Sequence, residues 1–146
     1  MEQFSEKYGS MIRLSARELK IETSRLNGTE IIYLDGRPSV VRIGTALFPT
    51  LVFNELLKSL PKVIVDMGAI PHICNGADVM APGVRRIEGD FALGAVVVVT
   101  EDKYGKFLAV GETAKDSEEL KRTKQGKVVL NRHYVGDDIW KSLISV

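Results

Sequence analysis

The segment most informative about the fold covers residues 65–84 and reads VDMGAIPHICNGADVMAPGV. We expect it to end one strand, form a single helical turn from Pro71 to Gly76, and start another strand near Val79. Glycine and proline supply the tight backbone corners of such a path, and small residues leave room for another molecule close to the main chain. The segment therefore predicts a tightly turned connection between two short strands.

Downstream of this segment, short apolar runs alternate with turn residues. They predict three more strands, over residues 95–100, 107–111 and 128–130. Asp116, with Glu119 three positions later, has the spacing of a capping box and predicts a helix over residues 117–125. Ile139 and Trp140 form a final apolar anchor.

Upstream, the pattern indicates hairpins. Strand-like runs over residues 30–34 and 39–43 flank Asp35-Gly36, a pair that favours a type I′ turn. A second such turn is predicted at Asn27-Gly28, after a strand over residues 19–24. Ser15 and Glu18 have capping-box spacing and predict the start of a short helix.

One longer helix is predicted over residues 49–60, with Pro49 at its first position. Its apolar residues recur at helical spacing and form one packing face: Phe53, Leu56, Leu57 and Leu60. Pro61 ends the helix, and the pattern then changes to many short strands. We therefore predict two abutting domains, over residues 1–64 and 65–146.

Composition limits the class of protein. The chain has 146 residues, of which 45% are hydrophobic and 27% charged, as expected for a folded globular protein. The N-terminus has acidic residues and no apolar core of a secretory signal, and residues 93–99 are far shorter than the ~20 residues of a membrane helix. The sequence thus predicts a cytoplasmic protein without membrane contact.

Catalytic and metal-binding motifs are missing from the sequence. It contains neither a G-x-x-x-x-G-K-[ST] loop nor a G-x-G-x-x-G fingerprint, so nucleotide chemistry lacks its usual scaffold. Its single cysteine, Cys74, and two histidines do not make a zinc site or a disulfide framework. His72 lies two positions from Cys74, which points the two side chains apart on a helix. We predict no catalytic residue, no cofactor and no metal.

Basic and aromatic residues at predicted turns offer material for binding. They are Arg85 and Arg86, then Lys103, Tyr104 and Lys106, then Arg132, His133 and Tyr134. Cations at loop tips bind phosphates, and aromatic rings stack on unpaired bases. The overall charge of +1 is small, but residues 103–133 have eight Lys or Arg against four Asp or Glu. The alternative is that these lysines form an ordinary solvated surface and that Tyr134 belongs to the core.

Several short stretches carry a family resemblance. Residues 65–69, 75–84 and 109–113, which read VDMGA, NGADVMAPGV and AVGET, resemble a PUA domain, an RNA-binding β-barrel module. FPTL at 48–51, VDMGAI at 65–70, NRHY at 131–134 and DIW at 138–140 resemble the malignant T-cell-amplified sequence family and its archaeal relatives. The resemblance implies an α+β fold, with a small α/β pre-PUA domain over residues 1–64 and a mostly β PUA pseudo-barrel over 65–146.

The same resemblance implies RNA binding without catalysis, in translation, through contact with transfer RNA or the small ribosomal subunit. It also implies a groove formed by Gly68, Ala69, Gly76, Ala77, Met80 and Arg85. With the basic residues found above, the candidate RNA-binding residues are Gly68, Ala69, Gly76, Ala77, Met80, Arg85, Arg86, Lys103, Lys106, Arg132 and His133. Partners are tRNA or ribosomal RNA, with a translation-factor protein as a further candidate.

Two alternatives stay open. In the first alternative, the chain is a protein-interaction adaptor, whose first half docks a partner and whose barrel is incidental. Or it is the RNA-binding accessory subunit of a tRNA- or rRNA-modifying enzyme, with the chemistry supplied by another chain.

Overall fold

The computed structural model describes residues 19–144, so the helix start predicted at Ser15 and Glu18 lies outside the described residues. The first half forms a four-stranded antiparallel sheet in the order β1-β2-β3-β4. Its strands are β1 (Ile21–Leu26), β2 (Thr29–Leu34), β3 (Arg37–Ile43) and β4 (Ala46–Pro49), followed by the helix α1 (Asn54–Ser59).

Both predicted hairpin turns are present. Asn27 and Asp35 have φ of 50° and 51°, and the glycines that follow them have φ of 81° and 80°. Positive φ at both central residues is the requirement of the type I′ turn, which matches the twist of the flanking strands. The local sequence therefore sets the register of the β1-β2 pair and the first pairs of β2-β3, whose register shifts by one residue at Ser39.

The helix predicted over residues 49–60 is wrong at its start. Pro49 ends β4, where it pairs with Val40, and the Thr50 N–H donates to the Ser39 carbonyl at 2.9 Å. Proline is tolerated there because β4 is an edge strand of its sheet. The helix begins only at Asn54, but the predicted packing face is confirmed, since Leu56 and Leu57 are both buried.

The second half forms a curled six-stranded sheet in the order β6-β10-β9-β8-β5-β7. Its strands are β5 (Lys62–Val65), β6 (Val79–Met80), β7 (Val84–Glu88), β8 (Val96–Glu101), β9 (Phe107–Thr113) and β10 (Lys127–Tyr134). Its helices are α2 (Ile70–Ile73), α3 (Ser117–Arg122) and α4 (Asp138–Ile144), with 3₁₀ turns at Met67–Ala69 and Ala81–Gly83. The α+β fold class is confirmed.

Most sequence-based predictions for this half are confirmed, with shifted ends. The Asp116 carboxylate accepts from the Glu119 N–H at 2.8 Å, as the capping box requires, but α3 ends at Arg122 because Thr123 is already extended. The last strand extends from Lys127 to Tyr134, well beyond the three residues predicted. The apolar anchor at Trp140 is part of a full helix, α4.

All pairs in the second sheet are antiparallel except one. β5 and β8 pair in parallel, with Val65 opposite Glu101. Parallel neighbours end at the same edge of a sheet. The connection that leaves β5 and the loop that leaves β8 therefore start side by side.

Two strands of this sheet contain β-bulges at basic residues. Arg132 is the extra residue of β10 opposite β9, and Arg85 is the extra residue of β7 opposite β5. Gly111 lies beside the first bulge, where a Cβ would come within 2.2 Å of the Leu130 carbonyl oxygen. Only glycine fits that approach, and such bulges often re-aim side chains near functional sites.

The two sheets share a hydrophobic core. Ile31 and Phe48 of the first sheet pack in one buried cluster with Val98 and Val110 of the second, and with Leu143 of α4. A separate core fills the inside of the second sheet. The halves are therefore packed against each other through apolar side chains.

A buried histidine reinforces this junction. His133 is fully buried, its Nε2 accepts the Leu51 N–H at 3.2 Å, and its Nδ1 lies 2.9 Å from Oδ2 of Asp137. These contacts require a neutral imidazole that donates from Nδ1. Asp137 also accepts the Trp140 N–H at 2.7 Å at the start of α4. The β10 strand, the first half and α4 are thus joined at one point.

None of the helices within residues 19–144 combines the length and apolar character that crossing a bilayer requires.

Candidate nucleic-acid interface

A groove opens where the chain leaves β5 and returns through β6. It lies between the 3₁₀ turn Met67–Ala69 with α2 on one side and β6 with Ala81–Gly83 on the other, and has a volume of about 550 Å³. Its lining residues are Asp66, Gly68, Ala69, His72, Ile73, Ala77, Asp78, Val79, Met80, Pro82 and Gly83. The lining is mostly small and apolar, which suits the faces of bases and riboses better than phosphates.

The entry to the groove is fixed by a capping interaction. Oδ1 of Asp66 accepts the Gly68 N–H at 2.6 Å, and the Asp66 N–H donates to the Gly83 carbonyl at 3.0 Å. A Cβ on Gly68 would lie only 3.0 Å from the same carboxylate oxygen. The sequence Asp-Met-Gly therefore makes a tight turn that keeps the floor of the groove open.

The far side of the groove is held by one amide. Nδ2 of Asn131 donates to the carbonyls of Ile73 and Ala77, at 3.1 and 3.0 Å. The Asn131 N–H in turn donates to Oδ1 of Asp78 at 2.8 Å. A single residue of β10 thus fixes the whole segment between α2 and β6.

The carboxylate of Asp78 is neutralised within the protein. Burial by itself raises the pKa of Asp78, but the Asn131 N–H and the nearby Lys127 and Arg132 outweigh it, so that the pKa is lowered. Nζ of Lys127 lies 3.2 Å from Oδ2 of Asp78. The charge of Asp78 in the groove lining is therefore balanced by the ammonium group of Lys127.

The loop between β8 and β9 is organised by a buried carboxylate, Glu101, which is 2% exposed. Its oxygens accept the N–H groups of Lys103 at 2.9 Å, Gly105 at 3.0 Å and Lys106 at 3.1 Å, and also that of Tyr104. Burial alone raises the pKa of Glu101, but these N–H groups lower it overall. The acid therefore stays ionised and holds the loop in one shape.

The predicted site residues fall into distinct places. Gly68, Ala69, Ala77 and Met80 line the groove. Gly76 does not line it; the residue lies between α2 and β6 with a φ of +94°, and a Cβ there would meet the Tyr134 hydroxyl at 3.2 Å. This glycine turns the chain after α2.

The predicted basic residues lie outside the groove lining. Arg85 and Arg86 are exposed on β7, and Nε of Arg85 lies 3.6 Å from Oδ2 of Asp102 at the start of the β8-β9 loop. Lys103 and Lys106 are exposed on that loop. These cationic side chains are therefore exposed on β7 and the β8-β9 loop, outside the groove.

Two residues of β10 differ from each other in what they can contact. Nε of Arg132 lies 2.8 Å from Oε1 of Glu112, and the Arg132 side chain is 39% exposed. His133 is a correction to the sequence-based expectation, because its imidazole is fully buried and both nitrogens are engaged. The His133 side chain is therefore not accessible to an RNA ligand.

Sequence reasoning missed three residues of this region. His72 lines the groove from α2 and is exposed, Lys127 flanks Asp78, and Asn131 fixes the groove wall. The one-turn helix after Pro71 was a signal that could have placed His72 at the surface. Lys127 and Asn131 act through contacts with residues far away in sequence, which no local pattern indicates.

Burial raises the pKa of the Cys74 thiol, which favours the protonated form over the reactive thiolate. The side chain packs against the core of the second sheet. Within residues 19–144, no three His, Cys, Asp or Glu side chains form a cluster able to hold a metal ion.

Comparison with known families gives one match. The family model described as "PUA domain" matches residues 61–135. This range contains the groove, the β8-β9 loop and every strand of the second sheet.

Three relatives are similar to this chain in sequence. An uncharacterized protein from Methanocaldococcus jannaschii is 39% identical over 123 residues, which cover 82% of this chain and 75% of that protein. Translation machinery-associated protein 20 of Saccharomyces cerevisiae is 32% identical over 104 residues, 60% of this chain and 58% of its own length. Malignant T-cell-amplified sequence 2 of Homo sapiens is 30% identical over 117 residues, 77% of this chain and 65% of its own length.

A solved structure agrees over nearly the whole chain. The crystal structure of a hypothetical protein from Pyrococcus horikoshii OT3 gives a TM-score of 0.82 at 33% identity, covering 97% of this chain and 91% of the other. By contrast, the aligned region spans less than two thirds of the yeast and human relatives.

Proposed function

This chain belongs to the PUA domain family, and on that premise we propose that it is a non-catalytic RNA-binding protein of the translation machinery. The family match confirms the resemblance read from residues 65–84. The translation role is supported by the similarity to the yeast relative, translation machinery-associated protein 20. Contact with tRNA or with RNA of the small ribosomal subunit is the finer part of the proposal.

The observation that carries the proposal is the combination of an apolar groove with basic side chains at its rim. Gly68, Ala77 and Met80 leave a space for a base or ribose beside the main chain. Lys127 flanks that space, and Lys103 and Lys106 lie on the loop that starts beside it. An RNA strand is recognised in this way when its bases are unpaired and its phosphates follow a basic track.

We also propose a division into two domains, which the sequence predicted over residues 1–64 and 65–146. A boundary at 64/65 falls inside β5 (Lys62–Val65), a strand of the second sheet, and the family match starts at residue 61, so we place the boundary at about residue 61. The shared core means that the two parts fold against each other and are not independent.

The proposal is tested by fluorescence anisotropy with labelled tRNA, intact and lacking its single-stranded 3′ end, at two salt concentrations. We expect binding that weakens with salt, because phosphate contacts release counterions. We also expect the intact tRNA to bind more tightly, because the groove accommodates unpaired nucleotides.

The groove itself is tested with Ala77→Glu, which places a carboxylate at the exposed rim. Affinity is expected to fall about tenfold or more, because a like charge is brought against the RNA backbone. The matched control is Thr23→Glu, which makes the same change of charge on the exposed β1 strand of the first sheet and is expected to bind normally. Equal affinity of the two variants would place the site elsewhere.

Two results would contradict the proposal as a whole. Absence of binding to tRNA and to ribosomal RNA would do so, and a protein partner retained after nuclease treatment would then favour the adaptor function. Co-purification with a modifying enzyme whose activity depends on this chain would favour the accessory-subunit function instead.

A further inference from the structure

The β8-β9 loop presents one aromatic ring to solvent in a fixed position. Tyr104 is 65% exposed, although the backbone around it is held by the buried Glu101 carboxylate. A single exposed apolar group needs no explanation by itself. The Tyr104 ring differs from such a group because its loop is held in place. Every N–H from residue 103 to 106 donates to the Glu101 carboxylate, so the position of the ring is fixed before any ligand binds.

The ring is flanked by two ammonium groups. Nζ of Lys103 lies 5.2 Å from the centroid of the Tyr104 ring, and Nζ of Lys106 lies 5.8 Å from it. Both distances are within the range of cation–π attraction. An aromatic face beside two cations is the composition of a surface that stacks a base and binds the phosphates next to it.

The loop starts directly beside the groove. Val65 is opposite Glu101 in the parallel pair, and the Asp102 N–H donates to the Val65 carbonyl at 3.0 Å. The residue that follows β5 is Asp66, which lines the entry to the groove. Arg85 of β7 also reaches the loop through Asp102. A strand of RNA that leaves the groove at this edge therefore meets the loop.

We propose that Tyr104 stacks on an unpaired base of the same RNA strand that occupies the groove, with Lys103 and Lys106 on the adjoining phosphates. The inference rests on the proposed function and adds a second contact point to it. Base stacking on an aromatic ring is stronger than an exposed cation–π contact, so a base displaces the ammonium groups from the ring. The displaced lysines are then free to bind phosphate. Glu101 acts as a positioning residue for the ring.

The test uses the full chain and a single-stranded RNA of about 12 nucleotides, a length in the range of single-strand binding surfaces. The RNA carries 2-aminopurine, a fluorescent base that is quenched when it stacks. Tyr104→Ala is expected to weaken binding about 5-fold to 150-fold and to abolish the protein-induced quenching. Tyr104→Phe keeps the ring and is expected to bind and quench as the wild type does.

Leu93→Ala is the control for loss of exposed apolar surface, since Leu93 is 69% exposed on another loop. It is expected to leave both affinity and quenching unchanged. Wild-type affinity and quenching in Tyr104→Ala would overturn this inference and leave the proposed function intact. Failure of the wild type itself to bind this RNA and tRNA would overturn both.

The positioning role of Glu101 has its own readout. Glu101→Gln is expected to lower RNA affinity in the wild-type background, but to have no further effect on affinity when Tyr104 is already alanine. Such non-additivity is the signature of two residues that act through one contact. Equal losses of affinity in both backgrounds would show that Glu101 does not act through the ring.

Discussion

The two sheets of this molecule differ most in the connections between their strands. In the first sheet each connection consists of two residues: Asn27-Gly28, Asp35-Gly36 and Gly44-Thr45. In the second sheet the connections hold the 3₁₀ turns, α2, α3 and the β8-β9 loop. A two-residue turn has room only to reverse the chain, so the connections long enough to form a groove or a side-chain cluster are those of the second sheet.

Buried polar groups follow the same division. In the first sheet Ser39 and Thr50 are buried, and their hydroxyls bond nearby backbone carbonyls. In the second sheet the buried Glu101 fixes an exposed loop, and the buried His133 fixes the junction between the halves. The buried hydroxyls of the first sheet thus bond only backbone beside them. Glu101 and His133 of the second sheet instead position the β8-β9 loop and the junction between the halves.

The largest effect on stability is expected from Gly111→Ala. The new Cβ would lie 2.2 Å from the Leu130 carbonyl oxygen, so β9 and β10 must separate at the bulge. We expect a loss of about 3 kcal/mol or more in the free energy of unfolding. Urea denaturation followed by Trp140 fluorescence measures it.

The control for that variant lies in the first sheet. At Gly44 a Cβ would meet nothing within 4 Å, and only the φ of +63° opposes it. Gly44→Ala is therefore expected to cost about 1–2 kcal/mol. Equal losses in the free energy of unfolding for the two variants would contradict the expected difference between the crowded bulge at Gly111 and the open turn at Gly44.

An intermediate effect is expected from His133→Ala, which leaves the Leu51 N–H without its acceptor and opens a cavity at the junction. The expected loss is about 2–3 kcal/mol, with faster hydrogen exchange in the first sheet than in the second. The exposed His72 provides the matched control. His72→Ala is expected to change stability by less than about 0.5 kcal/mol, and uniform exchange in His133→Ala would contradict the junction role.

The smallest effect is expected in the pH dependence of stability. Because the folded protein lowers the pKa of Glu101, the acid stabilises the fold above its unfolded pKa of about 4.3, and this stabilisation is lost as the pH falls through the folded value. Glu101→Gln should therefore be less stable than the wild type at pH 7, with the gap closing in acid. Glu55→Gln, at an exposed position of α1, serves as the control. A difference in stability between wild type and Glu101→Gln that stays constant with pH would contradict the stabilising role of the Glu101 charge.

The parts of the fold that the sequence predicted correctly are those set by neighbouring residues. The type I′ turns, the Asp116 cap and the path from Pro71 to Gly76 all depend on contacts within a few positions. Pro49 was placed in a helix because its restricted φ also suits a first helical position, and pairing with Val40 settled the choice. Local signals were sufficient where no distant partner competed.

The site was predicted in part for the same reason. Glycine and alanine marked the groove, but the burial of His133 depends on Leu51, which lies 82 positions away. The parallel pairing of β5 with β8 likewise brings the start of the β8-β9 loop, which carries Tyr104, beside the entry to the groove through a non-local contact. No spacing in the sequence shows either pairing.

The shared core also has a consequence for how the protein is made. Ile31 and Phe48 complete their packing with Leu143 of α4, which the ribosome adds last among these residues. At usual rates of synthesis, the first sheet waits on the order of 5–20 s for that helix. During this time the packing of its apolar face is incomplete, because Val98 and Val110 are made earlier but Leu143 is still missing. The growing chain is therefore exposed to misassembly and chaperone capture until residues 138–144 have left the ribosomal tunnel.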